Sequence, residues 1–177
     1  MTIHIDEPAT GLASECEPIL RALPDWFGIE QSIVQYVLDI EQLPTIIARD
    51  ESGSAAGFMS IRQHFPKAAE LHVLAVRAEH HRRGVGRAML VKAEQWLAAN
   101  DVQLLQVKTL SPSRVCEAYE RTRMFYEAMG FLPLEEFPKL WGERNPCLLM
   151  VKPLQAHRAL QSPHRAAIGA TMRDASP

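Results

Sequence analysis

The chain of 177 residues is long enough for one domain with a sizeable core, and 47% of its residues are apolar, as such a core requires. Its formal net charge of −2 argues against a general affinity for nucleic acid or an anionic membrane, so a phosphate ligand needs a local cluster of positive charge. The three cysteines are widely spaced without a CxxC pair, which favours free thiols and a cytoplasmic location. No segment approaches the ~20 uninterrupted apolar residues of a membrane span.

The first third of the chain predicts two short helices and a β-hairpin. The second helix carries an apolar stripe at helical spacing, which must pack against another layer. The apolar pair Trp26 and Phe27 lies between the two helices. The turn sequence DESGS separates two strand-like segments and predicts an antiparallel hairpin. The expected elements are helices at 15–22 and 30–40 and strands at 45–49 and 57–62.

The middle of the chain predicts a strand, a glycine turn and a helix in immediate succession. The strand covers 69–76, and its last four residues are all apolar, as expected for a central strand buried on both faces. The helix covers 87–100, where apolar residues recur at helical spacing. A second central strand follows at 102–109, and because a helix intervenes, the two strands can run parallel.

The last predicted elements are one helix and two strands. Ser113 is expected to cap the helix, whose apolar stripe includes Val115 and Phe125, with Tyr126 beside the stripe. The strands are expected at 133–140 and 147–152. We assign residues 1–153 to one domain and 154–177 to a loosely ordered tail, because the composition changes there to Gln, His, Arg, Ala and Ser.

The sequence HHRRGVGRAML, residues 80–90, has the features of an anion site. A helix N-terminus presents unpaired N–H groups and a partial positive charge, and glycine lets a phosphate approach the backbone closely. A P-loop ending and the third glycine of a dinucleotide fingerprint are both absent from this stretch. Taken alone, the stretch also fits a plain tight connection between a strand and a helix. Its charged and glycine residues are Arg82, Arg83, Gly84, Gly86 and Arg87.

A second motif, RMFYEAMGF, occupies residues 123–131. A buried strand, HRRGVG opening a helix, another strand and FYEAMGF closing a helix together resemble the GNAT superfamily of acyl-CoA-dependent N-acyltransferases. The resemblance follows the order of elements from Ile29 to Pro153 and is strongest from Glu70 to Phe131. It implies an α/β fold of the α+β type, with helices flanking a mixed, mostly antiparallel twisted sheet whose parallel central strands splay apart.

The resemblance implies that the glycine turn binds the diphosphate of coenzyme A, with acetyl-CoA as co-substrate. His81 departs from the glutamine or arginine that is commonest at its position, and Tyr119 stands where many members have a pantetheine-binding asparagine. Backbone groups of Leu74, Ala75 and Val76 are expected to hold the pantetheine and the thioester. The turn residues assigned to the coenzyme are His81, Arg82, Arg83, Gly84, Val85, Gly86 and Arg87.

Amide formation from a thioester requires a neutral amine and a protonated leaving group. The resemblance assigns Tyr126 to the departing sulfur. Glu70 matches the position of the glutamate base in histone-acetylating members, and strand alternation places His72 on the same face. Glu70, His72 and a water chain stay open as the base. The alternative to a catalytic role is a solvated carboxylate at the start of the strand for Glu70 and a satisfied core or edge histidine for His72.

The acceptor is expected to be a small-molecule amine, with a protein amine as the alternative. Trp26 and Phe27 are candidates for the acceptor wall, with plain core packing as the alternative. No metal is expected, because His80 and His81 adjoin arginines and have no carboxylate or cysteine at ligand spacing. The predicted protein is a monomeric or homodimeric N-acetyltransferase acting by direct transfer in a ternary complex; the alternative is a non-catalytic acyl-CoA-binding or sensing module.

Overall fold

A mixed sheet of seven strands, flanked by four α-helices, organises the computed structural model, which describes residues 2–154. The helices are α1 (Ala13–Arg21), α2 (Glu30–Gln42), α3 (Val85–Ala99) and α4 (Glu117–Ala128). The strands are β1 (His4–Ile5), β2 (Thr45–Arg49), β3 (Ala55–Phe65), β4 (Ala68–Val76), β5 (Leu104–Leu110), β6 (Leu132–Phe137) and β7 (Cys147–Pro153). Their order is β1-β2-β3-β4-β5-β7-β6, and within the described range β4 and β5 form the one parallel pair. The predicted fold class is confirmed.

Apolar clusters cover both faces of the sheet. Successive side chains of a strand point to opposite faces, and accordingly Ile46 of β2 packs with α3 while Ile47 packs with α1 and α2. Leu90 and Leu97 of α3 are fully buried. Burial of one such leucine side chain contributes about 1.5–3 kcal/mol, so the apolar stripe of α3 fixes this helix on the sheet.

A bulge at His72 decides which face the later residues of β4 occupy. Ser60 of β3 pairs with Val73 and Ile61 pairs with Leu71, so His72 is an extra residue on β4. Leu71 belongs to the cluster under α3, whereas Val73 belongs to the cluster under α1 and α2. Regular alternation would have placed these two residues on one face.

The parallel strands β4 and β5 separate after a short paired stretch. Residues 68–71 of β4 pair with residues 104–107 of β5, whereas β4 continues to Val76. Backbone groups on the β5 side of residues 72–76 are therefore left without a strand partner. This geometry is the predicted splay of the central strands, and it opens the sheet next to the glycine turn.

The start of α4 differs from the prediction. The cap position is Cys116, and the helix begins at Glu117. Ser113 is not the cap, because its hydroxyl donates instead to Glu136 of β6, at 2.7 Å. Val115 is 96% exposed and is not part of an apolar stripe. The loop before α4 is therefore longer than the sequence pattern indicated.

The ends of the described range differ from the prediction in smaller ways. The two-residue strand β1 is too short to produce an alternating pattern, and β6 ends at Phe137 instead of residue 140. Leu154 is 9% exposed and packs on the core. The rest of the predicted tail, 155–177, lies outside the described residues. No helix within residues 2–154 has the length and apolar character that crossing a membrane requires.

Candidate active site

The glycine turn enters α3 through two residues in the left-handed backbone region. Arg82 has φ +61° and Gly84, at the cap position, has φ +79°. This conformation is free of steric cost for glycine but costs an arginine roughly 1–2 kcal/mol. No side chain caps α3 at Gly84. The first N–H groups of the helix are therefore available to an anionic ligand.

Gly86 lies where α3 packs closely against α4. A Cβ atom at this position would lie 3.4 Å from Cζ and 3.6 Å from Cε2 of Phe125, in van der Waals contact with the ring. Phe125 is partly buried and packs against the core at this point. A side chain larger than alanine would have to displace this ring or enter the space beside the turn.

A cleft of about 560 Å³ opens beside the turn, within the size range of small-molecule sites. Its walls come from the end of β4, the turn, α4 and the loop between α1 and α2. Glu70, His72 and Arg83 do not belong to its lining. The predicted site residues that do line it are Trp26, Phe27, Leu74, Ala75, Val76, His81, Arg82, Gly84, Val85, Gly86, Arg87 and Tyr126.

His81 connects the turn to the splayed end of β4. Its Nε2 lies 2.7 Å from the carbonyl oxygen of Val76, and because a carbonyl only accepts, Nε2 carries the proton. The ring also lies edge-on to Trp26, with centroids 5.6 Å apart. One ring nitrogen, Nδ1, is thus left for any contact with a ligand in the turn.

Trp26 is fastened to α4 by two hydrogen bonds. Its Nε1 donates to Oγ1 of Thr122 at 3.0 Å, and the hydroxyl of Tyr119 donates to its carbonyl oxygen at 2.9 Å. Burial raises the pKa of Tyr119 to about 12, so the phenol keeps its proton at neutral pH. These bonds hold the loop between α1 and α2 against α4, and Trp26 both packs against the core and lines the cleft.

Tyr126 is more buried than predicted. It is 5% exposed and packs between the rings of Phe125 and Phe131, with centroid distances of 5.4 and 5.5 Å. The expectation that Phe125 anchors the core while Tyr126 lies beside the stripe is wrong, because Tyr126 belongs to the core cluster and Phe125 packs at its margin. Burial raises the pKa of the phenol, so Tyr126 stays protonated well above neutral pH.

Glu70 is a paired carboxylate on the α2 side of the sheet. It is 5% exposed, and its Oε2 accepts from Nζ of Lys108 at 2.7 Å and from Nε2 of Gln106 at 3.1 Å. Nε2 of His64 lies 2.6 Å from the same oxygen. Burial alone would raise the pKa of Glu70, but the hydrogen bonds from Lys108 and His64 outweigh it and lower the pKa. A carboxylate held in this way is a weaker base than a free glutamate.

His72 lies near Glu70 and faces α2. Its Nε2 lies 2.8 Å from Oδ2 of Asp39, which also accepts from Nη2 of Arg62 at 2.8 Å. Its ring lies 5.7 Å from that of Tyr36, and Tyr36 lies 5.8 Å from the ring of Phe27 in the cleft wall. Burial and the charge of Arg62 lower the pKa of His72, against the opposing effect of Asp39. The ring is therefore neutral at pH 7.

The sequence prediction missed Tyr36, Asp39, Arg62 and Thr122. Tyr36 and Asp39 are three residues apart on α2, so they lie on one face of the helix. The sequence shows this helical spacing, but the residues that Tyr36 and Asp39 contact, on β3, β4 and the cleft wall, lie far away along the chain. No local pattern marks a contact of this kind.

The histidines of the turn have no metal-like surroundings. Nε2 of His80 lies 3.8 Å from Oδ2 of Asp50, and Nδ1 of His80 is buried without a hydrogen-bond partner. Within residues 2–154, no group of three or more His, Cys, Asp or Glu side chains is arranged to hold a metal ion.

Comparison with known proteins identifies the family that this geometry represents. The model of the Acetyltransferase (GNAT) family matches residues 13–131. An uncharacterized N-acetyltransferase of Chlorobaculum tepidum is 30% identical over 111 residues, which is 61% of this chain. The aligned part spans 64% of the length of that relative.

Solved structures share the fold over almost the whole described range. Ard1 from Thermoplasma volcanium superposes with a TM-score of 0.71 at 15% identity, covering 88% of this chain and 99% of that one. The ribosomal-protein-S18-alanine N-acetyltransferase from Escherichia coli gives 0.68 at 20% identity, covering 90% and 99%. An aminoglycoside 6'-N-acetyltransferase complexed with coenzyme A gives 0.67 at 20%, covering 86% and 97%. At these identities the similarity shows the fold alone.

Proposed function

The chain belongs to the GNAT acetyltransferase family, and on that basis we propose that it moves an acetyl group from acetyl-CoA to a primary amine. The observation that carries the proposal is the uncapped N-terminus of α3, entered through Arg82 and Gly84 in left-handed conformations. This turn opens directly into a cleft at the splayed end of β4. A ligand that fits both surfaces has an anionic group for the turn and an extended chain for the edge of β4, and coenzyme A has both.

The coenzyme is proposed to lie along two adjacent surfaces. Its diphosphate would accept hydrogen bonds from the first N–H groups of α3, with Arg82 and Arg87 supplying positive charge in the cleft lining. Its pantetheine would use backbone groups on the β5 side of residues 74–76, where β4 has separated from β5 and where the carbonyl of Val76 already accepts from His81. The thioester would then reach the middle of the splay, between Tyr126 and the α2 side of the sheet.

The proposed reaction is direct transfer in a ternary complex. The neutral amine attacks the thioester carbonyl carbon, the C–N bond forms, and collapse of the tetrahedral intermediate breaks the C–S bond. The proton of the attacking nitrogen passes to a base on the acceptor side. The thiolate leaves with a proton from Tyr126, and the tyrosinate, which its raised pKa disfavours, recovers a proton from solvent. Thiols have an unperturbed pKa of ~8.5, so this donor assists without being indispensable.

The acceptor is proposed to be a primary amine that fits an aromatic wall. Trp26 and Phe27 line the cleft, and we assign the acceptor end to this wall. The structural neighbours include an aminoglycoside acetyltransferase and an enzyme named for a ribosomal-protein alanine, which supports both small-molecule and protein amines. We also propose a cytoplasmic location, supported by Cys16 and Cys147, which are buried free thiols.

A thiol-release assay tests the proposed function. The full chain is incubated with acetyl-CoA and each of phenethylamine, spermidine, an aminoglycoside and a peptide with an N-terminal alanine, and free thiol is measured with a thiol-reactive dye. Blanks without amine correct for the partly buried Cys116. Amine-dependent thiol release with an acetylated product by mass spectrometry is expected. Tight binding of acetyl-CoA without release for any amine would instead identify the non-catalytic acyl-CoA-binding module.

A further inference from the structure

We infer that His72, held in orientation by Asp39, accepts the proton of the attacking amine. This inference rests on the proposed function and names the group that performs one of its steps. It replaces Glu70, the residue that the family resemblance favours, with a histidine and a positioning carboxylate from α2.

The hydrogen bonds of His72 determine which nitrogen can act as a base. Nε2 of His72 lies 2.8 Å from Oδ2 of Asp39 and 3.4 Å from Nη2 of Arg62; the contact with Asp39 is much the shorter, and because a carboxylate only accepts, Nε2 carries the proton. The lone pair of the neutral ring is therefore on Nδ1. Asp39 is fixed in turn by Nε2 of Gln35 at 3.1 Å and by Nη2 of Arg62 at 2.8 Å. The ring is thus held in one tautomer and one orientation.

The position of His72 on β4 brings it closer to the cleft than Glu70. His72 is the bulged residue at which β4 separates from β5. At the usual rise of a strand, it lies about 7 Å from Leu74 in the cleft lining, whereas Glu70 is about 13 Å away. The rings of Phe27, Tyr36 and His72 also form a row from the cleft wall to the base, with centroid distances of 5.8 and 5.7 Å. Transfer through one water fits this separation.

The charges around His72 suit a base that must be neutral before the reaction and positive after it. Asp39 and Tyr36 face it from α2, Arg62 from β3, and Glu70 from β4. Lys108 of β5 pairs with Glu70, so this cation is neutralised. When Nδ1 takes the proton, the imidazolium gains the attraction of Asp39 and later returns the proton to solvent.

A pair of histidine variants tests the inference with a matched control. His72→Gln retains a donor toward Asp39 but has no base, and kcat/KM is expected to fall by at least about 10²-fold, with loss of the acidic limb of its pH profile. His64→Gln removes a histidine from the neighbouring strand that contacts Glu70 instead. It is expected to keep the acidic limb of the wild type. Circular dichroism checks folding of both variants.

Two charge variants add a signature that a purely structural role does not produce. Asp39 raises the pKa of His72 and Arg62 lowers it. Activity needs the neutral ring and falls as the pH drops through that pKa, so Asp39→Asn should move the acidic limb to lower pH. Arg62→Met should move it to higher pH. NMR titration of the His72 ring in both variants measures the same opposite shifts without any acceptor.

The outcomes separate this inference from the proposed function. A wild-type chain that releases no thiol with any of the four amines overturns both. An active wild type whose His72→Gln variant keeps its rate and acidic limb overturns the inference alone, and so do limb shifts of equal direction in Asp39→Asn and Arg62→Met. Loss of the limb in Glu70→Gln, with the limb retained in His72→Gln, assigns the proton to Glu70.

Discussion

The two ends of the cleft are built in different ways. The proposed coenzyme end is made mainly from backbone: the uncapped turn into α3 and the edge of β4 that has no strand partner, all within residues 74–87. The proposed acceptor end combines the aromatic wall of Trp26 and Phe27 with a cluster of side chains from α2, β3, β4 and β5, which lies beside the cleft and outside its lining. A site built from backbone can serve one fixed ligand across a family, whereas a site built from side chains can change with a few substitutions.

Charge follows the same division. Three arginines line the cleft: Arg82 and Arg87 at the proposed coenzyme end, and Arg121 on α4. At the acceptor end, each carboxylate is matched by a nearby cation, Asp39 by Arg62 and Glu70 by Lys108. This difference fits the proposal that the coenzyme end attracts an anion through its field, whereas the acceptor end selects by shape and hydrogen bonding.

The largest expected effect comes from Gly86→Glu at the coenzyme end. The new side chain meets Phe125 and places a negative charge where the diphosphate is proposed to bind. Loss of about two charge-assisted hydrogen bonds corresponds to roughly a 10³-fold weaker affinity for acetyl-CoA. Calorimetry measures it, with circular dichroism as the folding control. Equal affinity for acetyl-CoA in the wild type and the variant would contradict the proposal that the coenzyme binds at this turn.

Tyr126→Phe tests whether the hydroxyl of Tyr126, between the two ends, donates a proton to the leaving thiolate. The substitution removes one hydroxyl from a buried ring and leaves its contacts with Phe125 and Phe131 in place. We expect kcat to fall by about 10²-fold with little change in coenzyme affinity. Single-turnover kinetics ensures that the chemical step is measured. An unchanged chemical rate would assign Tyr126 to packing.

Glu70→Gln is expected to have a modest effect, although Glu70 occupies the family position of a base. Its lowered pKa keeps it ionised throughout the range near neutrality, so its replacement should not move the acidic limb of the rate profile. The amide oxygen still accepts from Lys108. We expect kcat/KM to fall by less than about tenfold. Steady-state rates from acid to neutral pH measure it, and a flattened limb would contradict this expectation.

The smallest effect is expected for Tyr119→Phe in the acceptor wall. The variant loses the hydrogen bond to the carbonyl of Trp26. One such bond contributes about 1 kcal/mol, so KM for the acceptor should rise by about fivefold while coenzyme affinity stays the same. Thr122→Val removes the other bond to Trp26 and provides the matched comparison. A change in coenzyme affinity alone would place Trp26 at the coenzyme end.

Sequence patterns predicted the strand, glycine turn and helix of residues 69–100 far better than the side-chain contacts around His72, for a physical reason. Glycines at the turn and the apolar run before it are local signals, because one short segment determines its own conformation. Cys116 replaced Ser113 as the cap of α4 because Ser113 bonds to Glu136, a contact between distant segments. The pairing of His72 with Asp39 likewise depends on how α2 packs on β4, which no periodicity encodes.

The bulge at His72 has a consequence for how this segment tolerates change. It allows one strand to direct Leu71 to the core under α3 and Val73 to the core under α1 and α2. With the bulge kept, deletion of any other residue between Glu70 and Val76 would exchange the faces of the side chains on one side of it, whereas deletion of His72 itself would leave Leu71 and Val73 on their present faces. Substitutions that keep the size and polarity of a side chain leave the assignment of side chains to the two faces of the sheet unchanged. Over this segment, therefore, the number of residues constrains the chain more strongly than their identity.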